Sequence, residues 1–63
     1  MTRDEAVEAM LRQAMDLNTP VGTKLFLVQK QDEFDWCCGS DGAKEAENRG
    51  WQVVPADTME VLG

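Results

Sequence analysis

The opening segment MTRDEAVEAMLRQAMDLN places its apolar residues with the period of a helix. Val7, Met10, Leu11, Ala14 and Leu17 fall three and four apart, the spacing that lines one helical face. Thr2 followed three places later by Glu5 has the form of a capping box, in which each side chain accepts from an amide of the first turn. Asp4 and Glu5 put negative charge at the positive end of the helix dipole, and Glu8 and Arg12 are spaced to pair on the polar side. Pro20 disfavours helical geometry at Thr19, so the helix is expected to stop near Asn18.

The period then changes to two. GTKLFLVQKQDEFDWCC reads as two strands, with Leu25 and Leu27 on one face and Phe26 and Val28 on the other. In the second strand Phe34, Trp36 and Cys38 share a face, opposite Glu33, Asp35 and Cys37. A turn centred on Gln31 and Asp32 sets Lys30 against Glu33, Gln29 against Phe34, Leu27 against Trp36 and Leu25 against Cys38. That register gathers the apolar set on one side, and a slip of one residue scatters it. The turn lacks the Asn-Gly chemistry of the tightest hairpins, so a four-residue loop in the same register is an equal alternative.

GSDGAKEAENRGW predicts a short helix, with Ser40 or Asp41 as N-cap, Ala43 and Ala46 inward, Glu45 spaced to pair with Arg49, and Gly50 as the left-handed stop. WQVVP predicts a third strand, closed by Pro55, with Trp51 and Val53 on one face. Met59, Val61 and Leu62 in the tail fit either a short edge strand or a frayed turn. The expected order is α-β-β-α-β, with room for a final strand. This is an α+β domain: an antiparallel hairpin plus a third strand, with helices packed on the sheet.

At 63 residues the chain, 1–63, makes a single small domain, and its 43% apolar content suits a folded one. Twelve acidic residues against six basic ones and no histidine give a formal charge of −6. Such a charge disfavours direct binding to nucleic acid or anionic membrane and favours basic partners. No basic start leads into an apolar run, and no segment approaches the ~20 apolar residues of a membrane span, so a cytoplasmic protein is expected.

The adjacent thiols of Cys37 and Cys38 point to opposite faces of a strand and so do not converge on one metal. With no histidine and only two thiols, no metal and no cofactor is expected. A redox pair takes the spaced Cys-X-X-Cys form. The cysteines therefore read as structural, with Cys38 packed beside Trp36 and Cys37 on the second face. A thiol-dependent role ranks well behind, resting on the closeness of Cys37 to a helix start. Imidazole and triad chemistry are excluded by composition, and an enzyme is not expected.

What remains is the distribution of acid. Asp32, Glu33 and Asp35 cluster at the hairpin, and Asp41, Glu45 and Glu47 in the following helix. Carboxylates on such a surface imitate the spacing of phosphates and attract a Lys/Arg groove. In size, in charge and in the clusters DEFD and DGAKEAE, the chain resembles the small acidic phage-encoded inhibitors of host defence, anti-CRISPR proteins among them. The resemblance is one of type, without a shared motif. It implies a non-enzymatic inhibitor that occupies the basic, nucleic-acid-binding surface of a larger complex, with those six carboxylates as the partner-binding set. The alternative is a small homodimeric accessory or regulatory protein. If both helices cover the Leu25/Leu27/Trp36 side, Phe26, Val28 and Val54 are left as the dimer face.

Overall fold

Residues 1–62 of the chain are described in a computed structural model. The Thr2 hydroxyl accepts from the Glu5 amide at 3.2 Å, and the Glu5 carboxylate accepts from the Thr2 amide at 2.9 Å. The capping box is therefore complete, and it starts α1, Arg3–Met15. This helix ends three residues before Asn18. The Asp16 carboxylate accepts from the Asn18 amide at 2.8 Å, and Asp16 itself is extended. A side chain that bonds its own neighbouring backbone offers the chain an alternative to another helical turn. Leu17 consequently leaves the helix and is fully exposed, and the inward stripe is Ala6 and Met10, flanked by Val7 and Ala14 rather than by Leu11 and Leu17.

The strands β1, Lys24–Lys30, and β2, Glu33–Cys38, pair antiparallel in the expected register, from Leu25 opposite Cys38 to Lys30 opposite Glu33. Strand β3, Gln52–Glu60, pairs antiparallel with the other edge of β1, so the sheet order is β2-β1-β3. Pro55 does not close this strand. Leu27 faces Val54 and Leu25 faces Met59, so residues 55–58 stand opposite Phe26 alone and form a bulge. A proline that donates nothing to the ladder is tolerated there, on an edge strand at an irregularity. Past β3, the Val61 amide donates to Thr23 and its carbonyl accepts from Gly22, which ties the tail down and buries the Val61 side chain.

Two helices on a three-stranded antiparallel sheet, in the order α-β-β-α-β, make an α+β fold. The helices lie on opposite faces. Residues paired across a sheet share a face, so Leu25, Leu27, Trp36, Phe34, Val54 and Met59 form one side, and they pack with Ala6 and Met10 of α1. Val28, Cys37 and Val53 form the other, which α2, Gly39–Asn48, covers with Ala43. Gly42 allows the close approach: a Cβ there would lie 3.4 Å from that of Cys37.

Helix α2 begins earlier than expected. Cys38 is the residue before it and gives no side-chain cap, so Ser40 and Asp41 lie within the first turn. Its C-terminus is closed as predicted by left-handed Gly50, with φ at 93°. The Trp51 amide donates to Ala46 and the Gly50 amide to Glu47, satisfying two orphan carbonyls. Lys30 Nζ reaches the Arg49 carbonyl at 3.2 Å, placing a cation at the negative end of the helix.

Candidate functional site

The β1–β2 register fixes where the hairpin carboxylates point. Glu33 opposes Lys30 and Asp35 opposes Val28, so both side chains stand on the α2 face of the sheet. Asp32 sits in the turn itself, next to Gln31. Asp35 and Glu45 come together on the walls of an open cleft of about 260 Å³ between β2 and α2, which Val28, Cys37, Arg49 and Trp51 also line. Glu45 is engaged there by Arg49 at 2.8 Å, the pair its i,i+4 spacing foretold. One Asp35 oxygen accepts from the Trp36 amide at 2.8 Å. That amide lies on the outer edge of β2, so the carboxylate satisfies a donor that a further strand would otherwise take.

Asp41 is exposed in the first turn of α2. Glu47 is not on the cleft side: two helical positions from Glu45 is a rotation of roughly 200°, and Glu47 is exposed on the opposite flank. The structure thus joins Glu33, Asp35 and Glu45 on one side of the molecule and leaves Glu47 on another. Trp51 and Arg49 belong to the cleft although neither stood out as a site residue. The available signal was Gly50, because a left-handed helix stop turns the two residues beside it back against the sheet.

The three residues expected as a dimer face do not form one. Val28 is buried beneath α2, and Val54, opposite Leu27, packs against the α1 core on the far side from Phe26. The expectation assumed both helices on one side of the sheet, and they take one side each.

The cysteines divide as adjacent strand residues must, but with the burial reversed. Cys38, expected against Trp36, is exposed, while Cys37 is half-buried under Gly42. Burial pushes the Cys37 thiol pKa above its ordinary value, and the neighbouring Cys38 and Asp35 add to that shift. Proximity to the start of α2 does not outweigh this desolvation. Among the described residues no three His, Cys, Asp or Glu side chains are grouped to hold a metal ion, and no helix is long and apolar enough to cross a membrane.

The fold therefore belongs with small α+β domains in which a three-stranded antiparallel sheet is covered by one helix on each face. Comparison with protein-family models, with curated proteins and with solved structures finds no match to this chain.

Proposed function

We propose that the chain is a non-enzymatic, cytoplasmic protein-binding module whose acidic side docks on a basic surface of a larger protein, as an anti-CRISPR-like inhibitor does on a nucleic-acid groove. One observation carries the reading. Among the described residues the three ion pairs use Arg3, Arg12 and Arg49 against Asp57, Glu8 and Glu45. Asp32, Glu33, Asp41 and Glu47 take part in none of these pairs and are exposed. Their charge is left to act outward, which is the condition for steering toward a cationic partner. On the docking side Glu33 is joined by Asp35 and Glu45 at the cleft, where Trp51 adds an aromatic wall against which an incoming Arg or Lys side chain stacks, while Glu47 on the other flank contributes to steering alone.

The test is binding to a guide-RNA-loaded defence effector, and to basic proteins recovered from the host, across a salt series. Affinity that falls steeply with salt, and competition with duplex DNA for the same surface, support the proposal. Binding indifferent to both salt and DNA refutes it.

A further inference from the structure

The charges that line the cleft between β2 and α2 do not balance. Asp35, Glu45 and Arg49 are its charged residues, so it holds one net negative charge. Asp35 Oδ1 is taken by the Trp36 amide, and Glu45 Oε1 by the Arg49 guanidinium. The second oxygen of each carboxylate has no hydrogen-bond partner among the described residues. Most of the remaining lining is apolar, with buried Val28, half-buried Cys37 and Ala46, and Trp51 as the aromatic wall. At about 260 Å³ the cleft falls below the roughly 300–1,000 Å³ of small-molecule pockets and matches one long side chain.

We infer that this cleft receives one arginine side chain of the partner, and that Arg49 is the chain's own cation competing for the same carboxylates. The inference rests on the docking reading above and names the side chain that the acidic face captures. Charge complementarity selects the occupant: one added cation brings the lining to neutrality, whereas an anion is repelled. Form selects arginine over lysine. A guanidinium is planar, stacks on an indole and spreads its N–H donors over separate acceptors, while an ammonium is a compact charge that holds its water. The apolar lining takes the methylenes of the stem. Arg49 demonstrates that a guanidinium is held by Glu45 here, at 2.8 Å. That pair is 72% and 65% exposed, so it is weak and yields to a rival cation. A second pair of the same spacing, Arg12 with Glu8 at 2.7 Å, lies on α1 outside the cleft and serves as its control.

Titration of the isotope-labelled full chain with N-acetyl-argininamide, N-acetyl-lysinamide and free arginine at constant ionic strength, followed by the indole N–H resonances, tests this. The Trp51 signal is expected to move with the arginine amide at concentrations about two- to fivefold below those the lysine amide needs. Trp36, whose ring packs with the α1 core, is expected to stay in place. Free arginine brings a carboxylate of its own to an acidic surface and is expected to bind less well than its amide. Asp35→Asn, which keeps an oxygen for the Trp36 amide, is expected to weaken binding about two- to fivefold, and Arg49→Ala to strengthen it by a similar factor. Arg12→Ala removes an equal charge from the other pair and is expected to leave binding unchanged. Equal affinity for the two amides overturns the inference, as does a gain from Arg12→Ala as large as that from Arg49→Ala. Tighter binding of free arginine, or a Trp51 signal that no probe moves, overturns it too. No partner enters the titration, so the cleft can fail while salt-dependent docking stands, and docking can fail while the cleft binds its probe.

Discussion

Gln31 carries the hairpin turn with φ at 56°, a left-handed conformation that a residue with a Cβ adopts at a cost of about 1–2 kcal/mol. The Gln29 side chain donates to the Gln31 carbonyl at 3.0 Å and helps hold it there. Gln31→Gly removes the strain but loosens the unfolded chain, so a net gain near 1 kcal/mol is expected, read as a higher denaturation midpoint. Two titratable residues give opposite pH signatures. Bonds to the Thr2 amide and hydroxyl hold the Glu5 carboxyl below its ordinary value of 4.5. Its contribution to stability is present above that value and is lost as pH falls through the lowered one. The raised Cys37 thiol works at the other end: stability is retained below its ordinary 9.0 and declines as pH rises past it, because the unfolded chain ionises first. Thiol-reactive probes at neutral pH are therefore expected to label exposed Cys38 faster than Cys37, which peptide mapping resolves. Faster labelling at Cys37 contradicts the desolvation argument.

The hairpin register was legible in the sequence because both of its strands state the same answer: period-two patterning, a Lys-Glu pair at the turn, and an apolar set that any slip destroys. The side of the sheet that each helix covers was harder to read. Yet Leu25, Phe26, Leu27 and Val28 form an unbroken apolar run, the pattern of a strand buried on both faces, which is what β1 is at the centre of the sheet. Left-handed Gly39, with φ at 75°, turns the chain from β2 into α2 and onto the second face. The passage of β3 through Pro55 was not legible, because it depends on a bulge whose only cause is the meeting of two strands distant in sequence. The cleft was half legible: Glu45 and Arg49 announced themselves as a pair, while Trp51 read as an ordinary strand residue. At this scale the close contact of α2 with β2 depends on Gly42. Gly42→Val is expected to press on Cys37, push α2 off the sheet and cost about 1–3 kcal/mol. Met10→Ala, which empties the centre of the α1 layer, is expected to cost about 2–5 kcal/mol. Urea titration measures both.

At the scale of the whole molecule, the proposed role of the acids and a structural one predict opposite effects on stability. A body of 7.0 kDa carrying −6 repels itself, and its arginines are already committed to Asp57, Glu8 and Glu45. The exposed carboxylates at Asp32, Glu33 and Glu47 add to that repulsion and take part in none of these ion pairs, while Asp41 sits in the first turn of α2, where negative charge is favoured. Replacing Asp32, Glu33 and Glu47 by their amides removes three negative charges without changing shape and leaves Asp41 at the start of α2 in place. If their use lies in a partner, the variant keeps or raises its melting temperature at low salt, the gain shrinks as salt screens the wild-type repulsion, and partner binding falls sharply. Were the acids instead part of what holds the fold together, the melting temperature would drop and binding would decline only in step with unfolding. Thermal melts at two salt concentrations, run beside a binding titration on the same samples, distinguish these outcomes.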